Sequence, residues 1–216
     1  MENVKNGKEK QKAYAQNFDM LKKAMNYHFY LEAVSITYAI MEDRMVSFLH
    51  YAGIVTRNRE NLKINQKIYP YMRELTGADD NRAIRVKNIS VKLDLISRLL
   101  TMSEEQAREI DETVLQKNEQ KSKKMKLPLN YMQTVYHQID ATIDRNLVEE
   151  LLSNINKWRD ERNQLIHALL NKTVDTSEAA KKECAESGCQ MVRSLDNNLV
   201  KKFKTHNNIR KCYRIQ

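Results

Sequence analysis

Residues 145–171 read RNLVEELLSNINKWRDERNQLIHALLN, and this stretch decides the fold. Its bulky positions recur at spacings of three and four, which is the pattern of an α-helix with one buried face. These positions are Val148, Leu151, Ile155, Trp158, Arg162, Leu165 and Leu169. Asp144 precedes the stretch and can cap the first turn of such a helix. The sequence therefore predicts a long amphipathic helix over Arg145–Asn171, in which Arg162 alone breaks the apolar face.

Arg162 needs a partner, because a buried guanidinium without one costs several kcal/mol. Three partners are open: a carboxylate from another helix, with Glu42 as the first candidate, a second copy of the chain, or a phosphate. Asn163 and His167 are four residues apart and fall about 40° from each other on the helix flank, so they can border one cleft with Arg162. Arg159 lies four residues before Asn163 and either lines the same flank or belongs to an ion-paired surface turn.

The composition of the rest of the chain favours an all-α protein. The 216 residues include only four glycines and two prolines, which leaves few signals for turns between strands. A chain of this length can bury about 70% of its unfolded surface in one core, so we expect a single domain. No run of about 18 apolar residues and no secretory leader is recognisable. The three cysteines are odd in number and lack metal-ligand spacing, so we expect a reduced cytoplasmic protein with no metal and no cofactor.

Helix start signals divide the chain into about five or six helices. Ser103 and Gln106 form a capping-box pattern, Asp79 and Asp80 can cap the helix before it, and Ser177 can cap the last one. We expect an antiparallel up-down bundle over residues 11–205, between a disordered basic amino terminus (1–10) and a basic tail (206–216). The segments with helical patterns cover about 11–27, 28–52, 81–100, a segment after Ser103, 129–139, 145–171 and 177–205, and an irregular crossing over 57–77 contains one helical piece.

The net charge of +9 makes a polyanionic partner plausible. Two interpretations of the lysine clusters remain open, namely RNA contact or solvated helix ends and tails. The lysines that we expect to contact RNA are Lys121, Lys123, Lys124, Lys126, Lys201, Lys202 and Lys204.

The segment Arg162-Asn163-Gln164-Leu165-Ile166-His167 resembles the Arg-x4-His motif of the HEPN superfamily, including the asparagine that often follows the arginine in its ribonucleases. The likeness is to HEPN proteins of phage abortive infection and toxin type. It covers the motif helix by residues and about 28–205 as an architecture. It implies a helical bundle that dimerises with two motifs facing each other, and metal-independent cleavage of RNA. Some HEPN toxins carry a tyrosine two residues after the histidine, where adenylylation silences them. Leu169 stands there in this chain, so that control is not expected.

The side chains of the motif suit cleavage by RNA's own 2′-hydroxyl. His167 can act as base or acid near neutral pH, Arg162 can stabilise the charged phosphate, and Asn163 can orient the histidine or the phosphate. One histidine cannot be base and acid in the same transition state, which is a physical reason for a second copy. We therefore expect a homodimeric endoribonuclease of antiviral defence, with an antitoxin or a regulatory RNA as a candidate further partner and no membrane partner. The alternatives are a catalytically silent HEPN-like subunit that binds RNA or protein, and a helical adaptor without a nucleic-acid role.

Overall fold

The computed structural model describes residues 7–58, 61–78, 84–118, 127–171, 177–205 and 209–213. Within these ranges the chain contains eight helices of eight residues or more, two four-residue helices, a π-helical segment and one hairpin. The elements are α1 Gly7–Asn26, α2 Tyr30–Tyr51, β1 Val55–Asn58, β2 Asn61–Ile64, α3 Tyr69–Thr76, α4 Ile89–Thr101, α5 Glu104–Lys117, α6 Tyr131–Thr142, α7 Arg145–Asn171, α8 Glu178–Leu195, the π-helix Asp196–Lys201, α9 Lys202–Thr205 and α10 Ile209–Cys212.

The all-α class is confirmed, and local sequence signals begin several of the helices. Helix α7 has the predicted bounds, and Oδ1 of Asp144 accepts a hydrogen bond from the Leu147 amide at 3.1 Å. The capping box at Ser103 is complete, because its hydroxyl accepts from the Gln106 amide at 3.1 Å and the Gln106 side chain accepts from the Ser103 amide at 3.0 Å. The Ser177 hydroxyl accepts from the Ala180 amide at 3.2 Å. Each cap satisfies an amide that the helix leaves without a partner.

Two predictions for the middle of the chain need correction. The predicted irregular crossing contains its one helical piece, α3, but it also contains most of the antiparallel hairpin β1–β2, in which Val55 pairs with Ile64 and both are buried. Helix α4 begins at Ile89, eight residues later than expected. Residues 84–88 are not helical, although Val86 among them is buried. The proposed caps Asp79 and Asp80 lie outside the described residues.

The predicted ends of the chain also need correction. Helix α1 begins at Gly7, so residues 7–10 are helical rather than disordered. The expected tail contains helix α10, and its first residue, Ile209, is buried. An apolar side chain that finds a buried position can hold a short helix that basic composition alone argues against. The last predicted helix, 177–205, is present as α8, the π-helix and α9.

The chain forms two compact units, each built from two separated segments. The first unit contains Met1–Arg44 and Glu150–Asp196, and the second contains Met45–Glu149 and Asn197–Gln216. The predicted domain 11–205 thus holds parts of both units. No helix in the described ranges combines the length and the apolar character that a membrane crossing needs.

Helices α2, α7 and α8 pack against one another at Gly188. The residues that they bring together there, Thr37 and Trp158, lie next to or one turn before the candidate site residues Tyr38 and Arg162 in the sequence. A Cβ atom at Gly188 would lie 2.7 and 2.8 Å from two ring atoms of Trp158 and 3.0 Å from Cγ2 of Thr37. The Trp158 Nε1–H donates to the Cys184 carbonyl at 2.8 Å. Only a residue without a side chain lets α2, α7 and α8 approach so closely.

Candidate functional site

Arg162 is held by an aromatic ring and by its own neighbour on α7. Its guanidinium carbon lies 4.5 Å from the centroid of the Tyr38 ring on α2, which is a cation–π contact. Its Nη1 donates to Oδ1 of Asn163 at 3.0 Å. The Nε–H of Arg162 is buried and has no hydrogen-bond partner among the described residues. The guanidinium is thus fixed in place but not fully satisfied.

The expected partners of Arg162 did not include Tyr38. A buried cation can be paired with a carboxylate, a second copy or a phosphate, and an aromatic face is a further partner that the sequence-based expectation left out. The signal was present, because Tyr38 and Glu42 are four residues apart on the predicted core helix and therefore share a face. A tyrosine one turn before a candidate carboxylate can therefore meet the same cation.

Glu42, Arg159 and Arg162 all act on the Tyr38 phenol. Burial raises the pKa of Tyr38, the charge of Glu42 raises it further, and the charges of Arg162 and Arg159 lower it. Tyr38 therefore lies among one negative and two positive groups. The assignment of Glu42 as the group that fixes the arginine stays a prediction, but the structure does place both around one ring.

Arg159 forms an ion pair with its neighbour Asp160, as the second of its two predicted roles requires. Its Nε and Nη2 donate to Oδ1 of Asp160 at 3.1 and 2.8 Å, and only 18% of its side chain is exposed. This pairing does not remove it from the site, because its charge still lowers the pKa of Tyr38.

His167 stands apart from the guanidinium. It lies five residues beyond Arg162 on α7, which is about 7.5 Å along a helix axis, and its side chain is exposed. The structure records no hydrogen bond or ion pair to His167 within the described ranges. Asn163 lies one turn before His167 and is half-buried. The structure therefore brings Arg162 and Asn163 together, and it leaves His167 at the surface within one turn of Asn163.

The groove between α7 and α8 is separate from these residues. Its volume is about 530 Å³, and Trp158, Leu165 and Cys184 form part of its apolar wall. Glu161 and Gln164 line it, but Arg162, Asn163 and His167 do not. The motif helix therefore borders this groove, but the side chains of Arg162, Asn163 and His167 do not line it.

The lysines that were expected to contact RNA are only partly described. Lys121, Lys123, Lys124 and Lys126 lie outside the described residues. Lys201, Lys202 and Lys204 are exposed and belong to the second compact unit, whereas Arg162 belongs to the first. Lys201 donates to Oδ1 of Asn197 at 2.9 Å, and Lys204 lies 5.7 Å from the Tyr51 ring centroid.

The described part of the chain holds no group of three or more His, Cys, Asp or Glu side chains placed to bind a metal ion. Comparisons of the chain with protein-family models, with curated proteins and with solved structures found no match. The resemblance of residues 162–167 to the HEPN motif therefore stays a prediction.

Proposed function

We propose that this protein is an endoribonuclease that cuts RNA without a metal, at a site made from Arg162, Asn163 and His167 of two copies of the chain. The observation that supports the proposal is the fixed guanidinium of Arg162, which is oriented by Tyr38 and Asn163 on the same helix that carries the exposed His167. A positioned cation and a free acid–base group are what cleavage by the 2′-hydroxyl requires from a protein.

The proposed reaction assigns one role to each group. One His167 removes the proton from the 2′-hydroxyl, whose oxygen attacks the phosphorus. The bond from phosphorus to the 5′-oxygen breaks, and the second His167 gives a proton to that oxygen. Arg162 stabilises the extra negative charge on the non-bridging oxygens, and Asn163 holds Arg162 in position. The products carry a 2′,3′-cyclic phosphate and a 5′-hydroxyl, and DNA is not cut because it lacks the 2′-hydroxyl.

The proposed biological role is that of a HEPN-type toxin or abortive-infection effector in the cytoplasm. Cys184, Cys189 and Cys212 are all free thiols, which suits a reducing compartment. An antitoxin protein or a regulatory RNA would restrain such an activity.

Cleavage of mixed RNA in the presence of EDTA tests the proposal. We expect the wild type to cut and to leave cyclic phosphate ends. His167→Ala and Arg162→Ala each lower the rate about 100-fold or more, which is the usual contribution of a general acid–base or an electrostatic group. His137→Ala is the matched control, because His137 is also an exposed helical histidine. A requirement for magnesium, or full activity in His167→Ala, would refute the mechanism.

A silent subunit that binds RNA or a protein is the second candidate. It is favoured by the observation that the Arg162 guanidinium already has two internal partners, while His167 has no recorded bond to it. Under this alternative the wild type retards RNA in a gel and does not cut it. Absence of both binding and cutting would instead indicate an adaptor without a nucleic-acid role.

A further inference from the structure

The connection between α1 and α2 presents two aromatic rings to solvent. Tyr27 is 68% exposed and Phe29 is 59% exposed, and their ring centroids are 6.2 Å apart with planes inclined by 31°. We call residues 27–29 the aromatic turn. Exposing two such rings forgoes the free energy of burying them, so a ligand for the rings is the simplest functional explanation.

The aromatic turn is a defined structure. Its amides are bonded, because Tyr27 donates to the Lys23 carbonyl at 2.9 Å and Phe29 donates to the Ala24 carbonyl at 2.8 Å. His28 between them has a φ of 61°, which is uncommon for a residue with a side chain, and its Nδ1 lies 2.8 Å from the Tyr30 hydroxyl. These contacts fix the backbone that carries the two exposed rings.

Exposed lysine side chains lie next to the aromatic turn in the sequence, and such side chains can bind the phosphates of a nucleic acid. Lys22 and Lys23 are exposed on the last turn of α1. A shallow hollow of about 310 Å³ beside the turn includes Phe29, Lys181 and the exposed Glu32, and Oε1 of Glu178 lies 2.7 Å from Nζ of Lys181, so the positive charge that a ligand can meet is on Lys22 and Lys23. A ligand that meets the rings with an uncharged flat face, and the free lysines with an anionic backbone, matches this distribution.

The aromatic turn lies at the same end of the first unit as His167. Helices α2 and α8 run parallel, because Thr37 contacts Cys189 and Arg44 contacts Asp196 at the same sequence separation of 152 residues. Helices α7 and α8 are consecutive and share a groove along residues 154–165 and 180–191, with only 172–177 between them, so they run antiparallel.

The distances along the helices can then be compared. From the level at which Arg162 meets Tyr38, His167 lies five residues towards the carboxyl end of α7, or about 7.5 Å. Phe29 lies nine residues in the same direction along α2, or about 13 Å. Along the helix axes, His167 therefore lies between the level of Arg162 and the aromatic turn, and the turn lies about 6 Å beyond His167.

We propose that the aromatic turn is a subsite for the unpaired bases of single-stranded RNA, which stack on Tyr27 and Phe29 while a neighbouring phosphate lies at His167. The position of the phosphate rests on the proposed function, but binding at the rings does not. Bases in a duplex already stack on each other, so only unpaired bases offer their faces to side chains. The lysines favour RNA over a protein partner, and a second copy of the chain is the competing occupant that the experiment must exclude.

The test measures the affinity of a fluorescently labelled single-stranded oligouridylate and of a labelled duplex RNA by anisotropy, with His167→Ala in every protein so that no RNA is cut. We expect Tyr27→Ala and Phe29→Ala each to weaken binding of the oligouridylate about tenfold, and the double variant to weaken it more. Phe29→Trp keeps a stacking surface and retains the affinity. Leu129→Ala removes an apolar side chain of similar exposure, 64%, in the second unit and leaves the affinity unchanged.

Several results would overturn the inference. They are an unchanged affinity in the double variant, an equal loss for the duplex, no RNA binding by any protein, or a change of oligomeric state in sedimentation without a change in RNA affinity, which would assign the rings to a contact between copies. Failure of the two proposals can be told apart. If the wild type, which retains His167, cuts RNA in the EDTA assay and the double variant binds the oligouridylate normally in the anisotropy assay, only the subsite is wrong. If the double variant loses binding but the wild type does not cut, only the ribonuclease is wrong.

Discussion

Arg162 shows how one cation can occupy an apolar helix face at an acceptable cost. The Tyr38 ring offers its negative face to the guanidinium, which is worth about 0.5 to 2 kcal/mol depending on exposure, and Asn163 accepts one hydrogen bond. The buried Nε–H still lacks a partner among the described residues. A cation held in this manner keeps its charge available, which is what an electrostatic role towards a phosphate needs.

Gly188 gives a prediction about stability at the scale of one residue. Gly188→Ala gains helix propensity of about 1 kcal/mol, but the added methyl would collide with the Trp158 ring, and overpacking typically costs about 1 to 3 kcal/mol. We expect a net loss in the free energy of unfolding, measured by urea denaturation.

The control for Gly188→Ala is a double-mutant cycle with Trp158→Phe. The smaller ring relieves part of the collision, so the two effects should not add. A variant more stable than the wild type would show that the helices can move apart without cost.

At the scale of an element, helix α6 begins without help from its own sequence. Asn130 precedes it with a φ of 52° and makes no side-chain cap. Asp111 on α5 supplies the cap instead, because its carboxylate accepts from the amides of Met132 at 2.9 Å and Gln133 at 3.1 Å, and from the Gln133 side chain at 3.2 Å. A helix start that lacks a local cap is thus completed by a neighbouring helix.

The Asp111 carboxyl gives a prediction about pH. Burial raises its pKa above the ordinary value of 3.8, and the hydrogen bonds from α6 oppose the rise only in part. The folded state therefore binds this proton more tightly than the unfolded state. Its contribution to stability is complete below the ordinary pKa and declines as pH rises through the raised one. Asp111→Asn does not titrate, so we expect the stability of the wild type relative to this variant to fall from about pH 3 to about pH 7.

Thermal unfolding across that pH range provides the measurement. Asp94→Asn serves as the control, because Asp94 is exposed and pairs with Arg98 one turn later on its own helix, so a small effect is expected. A wild type that gains stability over Asp111→Asn as pH rises would contradict the prediction.

At the scale of the whole molecule, the three cysteine thiols differ in how deeply the fold buries them. Burial raises the pKa of Cys184 to about 11 and also raises that of Cys189, whereas Cys212 is exposed on α10. The thiolate is the reactive form of a cysteine. The low accessibility and the raised pKa of Cys184 therefore both lower its reactivity. The fold therefore leaves Cys212 accessible, Cys189 partly covered and Cys184 buried.

We expect a thiol reagent at about pH 8 to modify Cys212 first and Cys184 only when the chain unfolds. Peptide mapping by mass spectrometry at increasing reaction times checks the order. Cys212→Ser should remove the fast phase and leave the slow ones. Fast modification of Cys184 in the folded protein would contradict this order.

The amino-acid sequence by itself determined the all-α class, the bounds of α7 and the caps at Asp144, Ser103 and Ser177. Each of these depends on side chains within a few residues of one another, so local periodicity and hydrogen bonding suffice. For the site, the sequence placed Arg162, Asn163 and His167 on one helix.

The tertiary structure alone decided which groups those residues meet. Tyr38 lies 124 residues from Arg162 in the sequence, and Asp111 lies 20 residues before the helix that it caps. The hairpin β1–β2 and helix α10 likewise depend on buried positions for Val55 and Ile209. Contacts between distant residues are chosen by the packing of whole helices, and no local pattern in the chain records that choice.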